Sequence, residues 1–141
     1  MDWDEDGQLD ILSGCYWSED ADAGYIHILR GKGEMDFEKA TPLLSSAEKP
    51  LQNVEKDESV DIEERSICTQ QHAVDYDGDG DLDLVVGCFG TKFFLYENNR
   101  DGMENLLVEK PVELPIEAPG GHSAPHFTDF DGDGDLSLIH I

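Results

Sequence analysis

The chain is a succession of short runs rich in β-branched, aromatic and other apolar residues, separated by clusters of Asp, Gly, Asn and Pro. Runs over residues 9–17, 25–29, 37–43, 67–75, 82–89, 92–97, 106–114 and 122–129 have the length and composition of strands. Turn chemistry falls between them at Ala21 to Gly24, at Gly31-Lys32-Gly33 and at Asn98-Asn99-Arg100-Asp101-Gly102. Pro42 and Pro111 lie in the 37–43 and 106–114 runs, which suits outer strands, where a missing N–H is tolerated. No stretch carries a convincing amphipathic helical pattern, so the expected class is all-β. Residues 44–64 break the pattern: Ser, Glu, Lys and Asp dominate, with Pro50 and little periodicity. They are expected to form an exposed insertion with a solvated charged face and room for a short helix.

One motif organises the rest. Asp75, Asp77, Asp79 and Asp83 occupy positions 1, 3, 5 and 9 of a loop with Gly80 at position 6, and the apolar run Leu84-Val85-Val86-Gly87-Cys88 follows. Alternate side chains of a tightly wound loop converge on one centre, and a hard cation such as calcium takes about six to eight oxygens there. Gly80 permits the sharp reversal, the carbonyl of Asp81 adds an oxygen, and Asp83 closes the set. Without a cation these carboxylates repel one another. The pattern recurs at Asp2, Asp4, Asp6, Gly7, Gln8 and Asp10, followed by Ile11-Leu12-Ser13-Gly14-Cys15. It starts a third time at Asp129, Asp131, Asp133, Gly134 and Asp135, but position 9 is Ser137.

The repeat therefore reads as strand, acidic loop, strand, turn, strand, turn, strand and crossover. A four-stranded unit of this length cannot bury both faces alone, which predicts radial stacking as blades of a β-propeller. The chain would hold three strands of one blade, all of a second and the first strand of a third.

Composition narrows the function. With 9 Lys+Arg against 33 Asp+Glu the net charge is −24, which excludes a phosphate-backbone binder and so nucleic acid. It also argues against docking on anionic membranes, and no apolar run approaches the roughly 18–20 residues of a membrane span. Much of the acid sits in the three loops, so the acidity is mainly a stock of ligands. A hydrophobic content of 38 % suffices for a core.

Cys15, Cys68 and Cys88 are an odd number, so at least one lacks an intramolecular partner. Cys15 and Cys88 fall at the same repeat position after a glycine, and read as small buried thiols. Trp3, Tyr76 and Phe130 share position 2 of the loops and are expected to pack each loop against its neighbour. Trp17, Phe89, Phe93 and Phe94 read as core or blade-interface residues rather than as a carbohydrate platform. His72 and His126 each precede the first aspartate of a loop by three residues. They invite a metal or acid/base reading, but no third ligand or orienting carboxylate stands out, so equivalent packing positions are the preferred account. No catalytic constellation emerges. An EF-hand would need flanking helices and Glu at position 12, where this chain has Ser13 and Val86 in strand-like runs.

The three loop stretches, with their flanking apolar runs, resemble the FG-GAP/VCBS-type repeat family, calcium-binding blades also seen in integrin α-subunit propellers. The resemblance covers nearly the whole chain apart from residues 44–64 and the last few. It implies calcium ligands Asp2, Asp4, Asp6, Gln8 (backbone) and Asp10 in the first loop. In the second they are Asp75, Asp77, Asp79, Asp81 (backbone) and Asp83, and in the third Asp129, Asp131, Asp133 and Asp135.

It further implies a scaffold or adhesion module, outside the cytoplasm or at the cell surface, with a protein or carbohydrate ligand on the propeller face. The alternative is the propeller portion of a secreted enzyme whose catalytic residues lie elsewhere or at the propeller axis. The expected division is a blade lacking its first strand (1–43), a charged insertion (44–66), a complete blade (67–115) and the start of a third (116–135). Residues 136–141, Leu-Ser-Leu-Ile-His-Ile, match one reading frame of a transposon-end adapter used in sequencing-library preparation. The natural sequence is therefore expected to stop at or near Asp135. The strand that should precede the first acidic loop is missing, so the chain is expected to begin inside a longer protein.

Overall fold

The structure, a computed structural model, describes residues 1–15, 25–52, 69–87, 91–99, 107–108, 110–118 and 123–140. The described residues form strands and no helix, in several small antiparallel sheets. The strands are β1 (Ile11–Ser13), β2 (His27–Leu29), β3 (Gly31–Gly33), β4 (Asp36–Phe37), β5 (Thr41–Pro42), β6 (Gln70–Val74), β7 (Asp83–Gly87), β8 (Lys92–Tyr96), β9 (Val112–Glu117), β10 (Pro125–Thr128) and β11 (Ser137–His140).

The best-developed sheet is the meander β6-β7-β8-β9. Its inner strand β7, Asp-Leu-Val-Val-Gly, is buried at every position, as expected for a continuous apolar run covered on both faces. β6 pairs with β7 from Val74↔Asp83 to Gln70↔Gly87, so the second acidic loop is the connection of this hairpin. β10 and β11 repeat the arrangement around the third loop, with Thr128↔Ser137 in the place of Val74↔Asp83. β11 is paired through backbone groups, which any sequence supplies, so the pairing says nothing about the origin of residues 136–141. The first repeat gives the sheet β1-β2-β5 and a separate hairpin β3-β4.

Three elements depart from the sequence reading. The 37–43 run is not one outer strand but is split between β4, which pairs with β3, and β5, which pairs with β2. Gly31-Lys32-Gly33 is a strand, and the chain reverses at Glu34 and Met35, both in the left-handed region (φ 51° and 64°). Gly31 serves close approach: a Cβ there would overlap the backbone carbonyl of Leu9. The outer strand of the second repeat lies over Val112–Glu117, where 106–114 was expected, and Leu107 makes only an isolated bridge to Asn98. Pro115 is inside β9, which among the described residues pairs only with β8 and so is an edge strand there, where a missing donor is tolerated.

Within the compositionally distinct stretch, residues 44–52 turn back on themselves. Leu51 N–H donates to Leu43 O, Ile26 N–H donates to Leu51 O, and Leu43 and Leu51 are both buried. The rest of that stretch, together with Trp17, Cys68, Cys88, Phe89 and His122, lies outside the described residues.

Two apolar clusters hold the sheets. Trp3, Ile26, Ile28, Leu43 and Leu51 of the first repeat pack with Leu84, Val86, Tyr96 and Leu107 of the second. Val85, Phe93, Leu95 and Leu114 pack with Phe127 of the third. Each cluster thus crosses a repeat boundary, as the stacking of thin sheets requires.

The boundaries are built alike. Gly14 meets the backbone of Thr69, and Gly87 meets that of Ser123. Both glycines lie twelve residues after the first aspartate of their own loop, and Thr69 and Ser123 both lie six before that of the next. Cys15 N–H donates to Thr69 Oγ1 at 2.9 Å, and Ser123 Oγ donates to the Lys92 carbonyl at 3.1 Å. Cys15 is half-buried with a free thiol.

Candidate metal centre

Each acidic loop is wound by its own carboxylates. The position-1 carboxylate accepts the amide of the position-6 glycine in all three: Asp2 from Gly7 at 3.0 Å, Asp75 from Gly80 at 3.2 Å, Asp129 from Gly134 at 3.2 Å. The position-5 carboxylate accepts the amide two residues on: Asp6 from Gln8 at 2.8 Å, Asp79 from Asp81 at 3.1 Å, Asp133 from Asp135 at 2.9 Å. These are Asx turns. The position-6 glycines sit at φ 88°, 98° and 95°, in the left-handed region that a Cβ disfavours.

The winding gathers oxygens. Asp2, Asp4 and Asp6 bring one carboxylate oxygen each within 4.8 Å of one another, as do Asp75, Asp77 and Asp83, and Asp129, Asp131 and Asp133. In the first set, Oδ1 of Asp2 and Oδ1 of Asp4 are shut from solvent and meet no hydrogen-bond donor among the described residues. The other Asp4 oxygen faces Arg30 Nε at 3.2 Å in an exposed ion pair. The third set is exposed throughout.

Position 9 does more than the spacing suggested. Asp10 and Asp83 are buried, and both oxygens of each accept backbone amides. Asp10 takes Trp3 N–H and Gly31 N–H, both at 2.8 Å; Asp83 takes Tyr76 N–H at 2.9 Å and Asn98 N–H at 2.8 Å. Each carboxylate thus ties loop position 2 to the end of the following hairpin strand. Burial is the main cause that raises the Asp83 carboxyl above the usual carboxylate range. The two amides oppose it, and the charges of Asp77 and Asp79 add to it. An oxygen holding one amide still has a lone pair for a cation, and Asp83 belongs to the second set of converging oxygens whereas Asp10 stands outside the first.

The position-2 aromatics turn toward the next repeat where the described residues supply one. Trp3 is buried in the cluster shared with β7 and β8, and Tyr76 stands edge-on to Phe127 with centroids 5.8 Å apart. Phe130 is 77 % exposed. Phe93 is buried and Phe94 packs against the core, as expected. His72 and His126 lie on adjacent strands with ring centroids 4.5 Å apart.

Antiparallel hairpins that open on an Asp/Gly loop and stack through shared apolar clusters define a class of β-rich repeat modules. Residues 75–140 match the family model of the FG-GAP-like repeat, a span that begins at the first carboxylate of the second loop and takes in the third. No curated protein and no solved structure matches the chain.

Proposed function

We propose that the chain is a calcium-binding segment of a β-propeller, a structural and interaction module in which each acidic loop holds one ion and stiffens the first hairpin of a blade. The FG-GAP-like match over residues 75–140 supports a propeller-type module. The observation that carries the calcium reading is the pair of buried oxygens on Asp2 and Asp4 that no donor among the described residues satisfies. Leaving buried carboxylate oxygens unpaired is costly, and a dication at the centre of the set removes that cost. All-oxygen donors of this kind suit calcium better than a softer metal.

Asp2, Asp4, Asp6 and Asp10 with the Gln8 carbonyl would hold the first ion, and Asp75, Asp77, Asp79 and Asp83 with the Asp81 carbonyl the second. Asp129, Asp131, Asp133 and Asp135 would hold the third. The work of the ions is structural: they cancel repulsion among the carboxylates and fix the loops that carry Trp3 and Tyr76 against the next blade. Loops of this type work at the calcium levels found outside the cytoplasm, where modules bind with Kd about 10⁻⁴–10⁻³ M. We accordingly place the module there or at the cell surface, with a protein or carbohydrate partner on a propeller face.

At about 1 mM calcium and a Kd near 10⁻⁴ M, one site adds about 1.4 kcal/mol by mass action. For a chain of this size that raises the melting temperature by about 3–6 °C per site. The test is thermal unfolding with calcium or chelator, in the native chain and in Asp77→Ala. Calcium is expected to raise the midpoint in both, with the second loop's share missing in the variant. An unchanged midpoint on chelation contradicts the reading.

A further inference from the structure

We propose that His72 and His126 form a second kind of metal site, one that takes an imidazole-preferring divalent cation such as copper or zinc and is separate from the acidic loops. β6 and β10 lie side by side, and the two rings meet edge to face with centroids 4.5 Å apart and planes at 61°. Two imidazoles bound cis to one ion, with metal–nitrogen distances of about 2.0–2.1 Å, place their centroids about 4.5–5 Å apart. The observed spacing is already that of a ligand pair.

The hydrogen bonding favours the same role. His72 Nε2 lies 3.0 Å from the carbonyl oxygen of Phe127. A carbonyl only accepts, so Nε2 carries the proton and Nδ1 keeps its lone pair. A backbone carbonyl that fixes the tautomer and turns the ring is the usual outer support of a metal-binding histidine. His126 is exposed, free to turn its own nitrogen inward, and it leaves the remaining positions of the ion open to water or an external ligand.

The chemistry separates this site from the loops. Carboxylate and carbonyl oxygens select hard calcium, whereas imidazole nitrogen suits copper and zinc. The net charge of −24 raises the local concentration of any cation.

The experiment titrates Cu²⁺ into the full chain in excess calcium, so that the loops are occupied, and reads electron paramagnetic resonance for nitrogen couplings. One Cu²⁺ with two coupled nitrogens is expected in the native chain. His126→Ala, at an exposed position, is expected to leave one nitrogen and weaken binding roughly tenfold or more. His126→Gln should do the same, and His27→Ala and Asp77→Ala should keep the two-nitrogen signal. Oxygen-only or one-nitrogen coordination in the native chain, or an unchanged signal in His126→Ala, overturns the proposal.

Discussion

Glu5 occupies position 4 of the first loop at φ 58°, where the second and third loops have Gly78 and Gly132 at φ 80° and 77°. A left-handed conformation costs an ordinary residue about 1–2 kcal/mol, part of which is regained because glycine has more freedom to lose on folding. Glu5→Gly is therefore expected to stabilise the chain by about 0.5–1 kcal/mol, read as a raised denaturation midpoint at unchanged slope. Gly87 is constrained differently. A Cβ there would overlap the Ser123 backbone, a group that cannot swing aside. Gly87→Ala should cost about 2 kcal/mol or more by forcing the second and third repeats apart, and a variant as stable as the parent would refute the close-packed boundary. Repetition in the sequence marks Gly14 and Gly87 as equivalent, but it cannot show which distant segment each one admits.

The hairpin with its loop is the element that repeats, and its carboxylate spacing was plain in the chain. Asp75, Asp77 and Asp83 bring carboxylate oxygens within 4.8 Å of one another, a set that does not include Asp79. What the spacing hid was the second task of position 9, because the amides of Asn98 and Gly31 reach it from outside the motif. This separates two roles by experiment. Asp83→Ala strands two backbone donors in a buried place and should cost about 2–4 kcal/mol even in chelator. Asp77→Ala should cost stability mainly when calcium is present, because in chelator it loses only the exposed hydrogen bond from Asp79 N–H at 3.2 Å. Equal behaviour of the two variants in chelator would refute the stapling role of Asp83. Edge elements were the least legible. Gly31 reads as a turn former, yet its lack of a side chain serves contact with Leu9 while the bend falls two residues later at Glu34 and Met35. β9 carries weak alternation and a proline, so pairing with β8 and a register irregularity between Lys92 and Phe94 set its place.

Across the molecule, the sheets are too thin to be stable singly and are held by clusters shared between repeats. The all-β class and the order of the hairpins followed from short apolar runs and punctuating turns. The juxtaposition of His72 and His126 did not, since residues this far apart meet only when β10 is laid beside β6. The whole chain carries −24, and three bound dications would bring that to −24 + 6 = −18, a large relief of self-repulsion.

The central claim is that the acidic loops are discrete calcium sites, and it is tested most directly by calorimetric titration of calcium into the chelator-stripped chain in about 0.15 M monovalent salt, where diffuse attraction is screened beyond about 8 Å. Saturable binding of three calcium ions per chain is expected, reduced to two in Asp77→Ala. Absence of saturable binding, or a stoichiometry that Asp77→Ala leaves unchanged, would contradict it.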